Sequence, residues 1–332
     1  MDLAAANRFV KITAVPVQFT LQRCSNSLRP KNGVHMLSSL PILSDAIELI
    51  ADYACDTGEN PIWHPFERKL YWCDIPRGRI FRFDPSTGTH EQCYEGRTIG
   101  GFTIQADGSL LLFMDRGTIA TWRDGNLTEV VPSIPREEDS RFNDVIADPL
   151  GRVFCGTMRT ETHEGALYRL DLDGSLHLLL DGVRCSNGMA FTADAKGFYH
   201  TDSFAREISY FDYAIDDGSI SNRRTFVRFD AGDGLPDGMT RDKNGDLWCA
   251  LWDGGCVVQI SADGTQRSRI LVPAPKSSSV AFGGPEYKDL YITTAGGNVR
   301  ETDGDFAGSL FRIQCGASGV SEFFSRIEIS QG

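Results

Sequence analysis

Short apolar runs bounded by Gly, Asp or Asn recur along most of the chain. Six of them share one form, at 69–74, 109–114, 152–157, 197–202, 246–251 and 289–294. Each is answered by a second run, at 78–84, 117–122, 165–171, 206–212, 255–260 and 308–313. Apolar and polar residues alternate in Ile80-Phe81-Arg82-Phe83 and Leu167-Tyr168-Arg169-Leu170, the period of a strand with one buried face. The turns between runs carry fitting chemistry, as in Asp84-Pro85-Ser86-Thr87-Gly88, Asp171-Leu172-Asp173-Gly174 and Asp263-Gly264. A further strand ends most copies, for example at 176–180 and 225–229.

The copies stand roughly 40–50 residues apart, which is the spacing of four-stranded propeller blades. The pattern predicts an all-β chain built as a six-bladed β-propeller. A closed ring must hide its edge strands, so a strand near 47–50 is expected to join the last blade and complete it. A β-sandwich with a second domain leaves six copies in one register unexplained.

Composition narrows the setting. The chain has 332 residues, 41% of them hydrophobic, and its 34 glycines suit many tight turns between short strands. Its formal net charge of -12 is interspersed along the chain, which argues against nucleic acid as a partner. No run approaches the roughly 18 apolar residues of a membrane span. The nine cysteines are odd in number and form no CxxC pair, as expected of buried free thiols in a reducing, cytoplasmic setting. Residues 1–45 carry Arg8, Lys11, Arg23, Arg29 and Lys31. They are expected to be a disordered leader or an over-long gene start with Met36 as the true initiator. That leaves 46–328 as a single propeller domain. Oligomeric state has no signature in the sequence.

The candidate chemistry lies on the innermost strands, which begin near Glu59, Gly100, Asn143, Asn187, Asp237 and Ser279. In a propeller their first residues meet at one mouth of the central channel. Glu59, Asn143, Asn187 and Asp237 are therefore expected to converge from four blades. Two carboxylates and one or two amide oxygens make a hard-oxygen site that suits Ca²⁺, Mg²⁺ or Mn²⁺ and admits Zn²⁺ or Fe²⁺. His64, His163 and His200 are isolated from one another, and neither GxSxG nor HExxH occurs.

Taken together, Gly58-Glu59-Asn60-Pro61-Ile62-Trp63, Arg141-Phe142-Asn143-Asp144, Gly156-Thr157-Met158, Ser186-Asn187-Gly188 and Pro236-Asp237-Gly238-Met239 resemble the motifs of the senescence marker protein (regucalcin)/gluconolactonase family. The resemblance runs in order from about residue 47 to about 315. It implies a six-bladed propeller that hydrolyses a sugar lactone with one divalent cation. Glu59, Asn187 and Asp237 match the family's metal ligands, Arg141 and Asn143 its substrate-binding pair, and Glu161 an acidic residue that contacts sugar hydroxyls. Asp237 would then double as general base. Asn60 departs from the family's usual Gly or Ser, and the 159–164 segment is short where some relatives carry a longer loop. Two other readings stand beside this one. The first is a propeller that binds calcium or a partner protein without turnover. The second is a lactonase or phosphotriesterase with an apolar substrate.

Overall fold

The computed structural model describes residues 37–43 and 47–328. Six four-stranded antiparallel sheets form six blades; five run in chain order from the innermost strand outward, and in the sixth the N-terminal strand takes the outermost place. The innermost strands are Gly58–His64, Ile99–Ile104, Phe142–Ala147, Ser186–Phe191, Leu235–Arg241 and Ser277–Gly283. The sixth blade is completed by Glu48–Asp52, which pairs with Ser309–Ile313. The expected closure near 47–50 is present, because the first strand would otherwise leave an unpaired edge.

The core is divided among the six junctions between neighbouring blades. Tyr71, Cys73 and Ile80 of blade one face Phe102 and Leu112 of blade two. Leu70, Trp72 and Phe81 face Tyr291 and Leu310 of blade six. Successive residues of one strand thus enter opposite junctions, as the strand pleat requires. This corrects the expectation of strands with one buried face. Ile80 and Phe81 are both fully buried, because every blade is sandwiched between two others.

Both ends of the described chain add to this ring. Residues 37–43 are all that is described of the leader expected over 1–45; Met36 lies outside the described residues. Leu37 is buried in the junction between blades four and five, and the chain then pairs with blade five through Leu43 N–H to Arg269 O at 2.9 Å. At the other end the chain leaves blade six and crosses the face opposite the inner-strand starts. Gly319 N–H donates to Tyr287 O at 2.7 Å, Ser325 N–H to Ile104 O at 2.9 Å and Arg326 N–H to Gly151 O at 2.9 Å. Ile327 is buried in the junction between blades two and three, and Phe324 stacks on Phe66 at 5.0 Å. Among the described residues Cys55, Cys73, Cys93, Cys155, Cys185, Cys249 and Cys256 are free thiols, and no helix is long and apolar enough to cross a membrane.

Candidate metal and substrate site

At the end where the inner strands begin lies a cavity of about 230 Å³ lined by Glu59, Arg141, Asn143, Asn187 and Asp237. The four loops therefore converge as the repeat register predicts. Neighbouring inner strands approach so closely here that two positions admit only glycine. A Cβ on Gly188 would strike the carbonyl of Asp237, and one on Gly238 would strike the Ser279 hydroxyl. Asn60 accepts a positive φ of 50°. Its side chain clamps blade one to blade two, with Nδ2 donating to Phe102 O at 3.0 Å and Oδ1 accepting from Phe102 N–H at 3.1 Å. Asn enters the left-handed region more readily than most residues, so the departure from Gly or Ser is accommodated.

The polar groups divide into two sets by what they already bind. Glu59 accepts the Asn60 N–H at 2.9 Å through one oxygen and a hydrogen bond from Ser279. Asn187 donates its amide to Ser203 Oγ at 3.0 Å and to Cys185 Sγ at 3.7 Å. Its Oδ1 is buried and has no protein partner. A buried acceptor without a donor is uncommon and points to a ligand. Asn143, by contrast, has a protein partner on both its oxygen and its nitrogen. Its Oδ1 accepts from Arg141 Nη1 at 2.6 Å and its Nδ2 donates to Ser186 O at 2.8 Å. The structure thus separates two amides that the repeat register treats alike.

Electrostatics reinforce the division. Burial pushes Glu59 up to about 8, and the nearby Asp144 carboxylate adds to the shift while Arg141 opposes it. Burial also pushes Asp237 well above the usual carboxylate range, with Glu59 as its next cause. Burial lowers Arg141 from its ordinary value. Two buried carboxylates held near one another favour a cation between them. Among the described residues no three His, Cys, Asp or Glu side chains group to hold a metal. The donor set that fits is two carboxylates and the Asn187 amide oxygen, all hard ligands.

Glu161 takes no part in this constellation; it is exposed on the loop before Gly165 and does not line the cavity. The same loop is pinned elsewhere, with His163 Nε2 3.0 Å from Asp139 and Thr162 Oγ1 donating to Asp139 at 2.6 Å. His200 is buried beside Ser186 Oγ at 2.8 Å, and burial pushes it down to about 3, so it stays neutral. Neither residue lines the cavity.

The sequence reading missed other walls of the cavity, among them Ile75, Met158, Ser203, Phe204, Leu235 and Trp252. A signal for four of them was present. Ile75, Met158, Ser203 and Trp252 each follow directly on the first run of their copy, at 69–74, 152–157, 197–202 and 246–251. In a propeller that position returns to the mouth where the inner strands begin. Cys185 also lines the cavity, but burial pushes its thiol up to about 12, which makes it inert.

Comparison with known proteins places this geometry. The family described as SMP-30/Gluconolactonase/LRE-like region matches residues 57–296. A pentonolactonase from Haloferax volcanii is 48% identical over 84% of this chain and 98% of its own length. Regucalcin from Homo sapiens is 30% identical over 83% of this chain and 97% of its own. The solved structure of a calcium-binding regucalcin from Agrobacterium tumefaciens superposes with a TM-score of 0.80. That match is 21% identical and covers 86% of this chain and 99% of the other, which supports the fold.

Proposed function

Because the chain belongs to the SMP-30/Gluconolactonase/LRE-like family, we propose that it hydrolyses a monosaccharide lactone to the open-chain aldonic acid with the help of one divalent cation. Pentono- and gluconolactones are the substrates to test first, since relatives bear those names. The observation that carries the reading is the unpartnered Asn187 Oδ1 in a cavity shared with Glu59 and Asp237. Glu59, Asn187 and Asp237 would hold the ion. When bound, a divalent cation supplies Lewis acidity toward a lactone carbonyl and makes water acidic enough to attack near neutral pH.

The chain's own residues do the rest. Arg141, fixed by the Asn143 amide and the Phe142 carbonyl, directs its remaining N–H groups toward ring oxygens. An Asp237 oxygen takes the proton of the attacking water and returns it to the departing ring alkoxide. A cavity of about 230 Å³ is smaller than the roughly 300–1,000 Å³ of drug-sized sites, which suits one sugar ring. Phe204, Leu235 and Trp252 form an apolar wall on which the C–H face of such a ring can rest. Glu161 has no contact with the sugar in this reading.

The same apolar wall favours a second reading, a lactone without hydroxyl groups. A pH-indicator assay distinguishes the two. Pentono- and hexonolactones and an unsubstituted γ-lactone are offered with and without EDTA. Chelator-sensitive turnover of the hydroxylated lactones is the expected result. Turnover indifferent to EDTA would remove the metal role, and preference for the bare ring would favour the second reading.

A further inference from the structure

We propose that Ser203 is a positioning residue, which turns the Asn187 amide so that its oxygen and not its nitrogen is offered to the cation. The proposal rests on the metal reading above. Ser203 opens the short 3-10 turn Ser203–Ala205 that follows the second strand of blade four. It is buried, 4% exposed, and lines the cavity. Its hydroxyl donates to the Pro236 carbonyl at 2.6 Å and lies 3.0 Å from Asn187 Nδ2. A carbonyl can only accept, and a hydroxyl has one proton. With that proton committed to Pro236, Ser203 Oγ can only accept from Asn187. An amide turned the other way would set two acceptors against each other in a buried place, and its NH₂ would lose a partner.

The turn itself is held rigidly. Ser203 N–H donates to Cys185 O at 3.1 Å. The Asp202 carboxylate accepts N–H groups from Arg184 at 3.1 Å, Cys185 at 3.3 Å and Ala205 at 3.3 Å. Pro236 directly precedes Asp237, so one hydroxyl ties together ligands from blades four and five. An orienting partner of this kind commonly governs metal affinity by tenfold to a hundredfold.

The symmetry of a carboxylate supplies the test. An Asp at position 187 offers an oxygen whichever way it turns and needs no orientation. Mn²⁺ is titrated calorimetrically into metal-free wild type, Ser203→Ala, Ser203→Thr, Asn187→Asp and the Asn187→Asp/Ser203→Ala double variant, with thermal midpoints read beside each. Ser203→Ala is expected to weaken Mn²⁺ about tenfold to a hundredfold. Its metal-free midpoint should fall by only about 2–4 °C. Ser203→Thr keeps the hydroxyl and should bind within about threefold of wild type. In the Asn187→Asp background the alanine should change affinity by less than about threefold. Wild-type affinity in Ser203→Ala, or an equal loss in both backgrounds, would overturn the proposal while leaving the metal site standing. A wild-type protein that takes up no Mn²⁺ would overturn both.

Discussion

The central channel carries acidic groups toward both of its ends, and the two ends have different fates. At one, Glu59 and Asp237 share a 230 Å³ cavity with an amide oxygen that nothing in the protein satisfies. Further along the same strands, Asp144 and Glu322 line a space of about 50 Å³ with Met189, Met239 and Phe323. Burial pushes Asp144 up to about 7 and also raises Glu322. What separates the two places is the unpartnered amide oxygen and the covering chain. The first has a fixed amide oxygen and room for a sugar. The second is crossed by the C-terminal segment, and Thr240 already hydrogen-bonds Glu322 at 3.4 Å. Raised carboxylates are thus common to both ends, and the oriented oxygen and open cavity are what make the first the candidate site.

The largest expected effect breaks the first end alone. Asp237→Asn keeps the shape but removes the charge and the basic oxygen that the proposed function assigns to ion and water, and kcat/KM for lactone hydrolysis should fall at least about a thousandfold, or ~4 kcal/mol. A loss of less than tenfold would show that Asp237 does neither job. At the second end the consequence should be structural. Ile327→Ala truncates a side chain buried between blades two and three and should lower unfolding free energy by about 2–4 kcal/mol in a guanidinium titration. The folded enzyme's kcat/KM should be unchanged. A matching loss of activity at native conditions would mean that the crossing segment shapes the distant cavity.

The smallest effect separates the two ends by pH. Glu59 is raised from 4.5 to about 8 and Asp144 from 3.8 to about 7. Both are protonated longer in the folded state than in the unfolded one. Their contribution to stability is complete below the unfolded values and is lost as pH rises through about 7 and 8. The thermal midpoint of chelated protein should accordingly drop between about pH 5 and 8.5, and the gain from added Mn²⁺ should grow over that interval. Asp144→Asn should flatten part of the drop and leave the gain from Mn²⁺ in place. Removal of that gain by Asp144→Asn would show that the two ends act as one site.

Much of this was legible in the chain. Six copies in one register require six blades, and the period-two apolar runs fix which residues are strands. The starts of the inner strands follow from the same register, so Glu59, Asn143, Asn187 and Asp237 are brought to one mouth by the repeat alone. Ser203 and Trp252 could have been found by carrying the register one residue past the first run. Glu161 could not be placed in this way, because its loop lies outside the repeat and is oriented by Asp139, a residue of a different loop.

Sequence alone thus determined the architecture and the set of converging oxygens, since repetition converts positions far apart in the chain into neighbours around an axis. The repeat register could not tell Asn143 from Asn187, which the family resemblance alone assigned to different roles. Both are amides at equivalent places, and only their partners distinguish them. Arg141 occupies the oxygen of the first, whereas Ser203, its proton spent on Pro236, leaves the oxygen of the second free. Nor could it show that residues 319–327 run beneath the channel. That path depends on backbone hydrogen bonds to Tyr287, Ile104 and Gly151, whose positions exist only once the ring has closed.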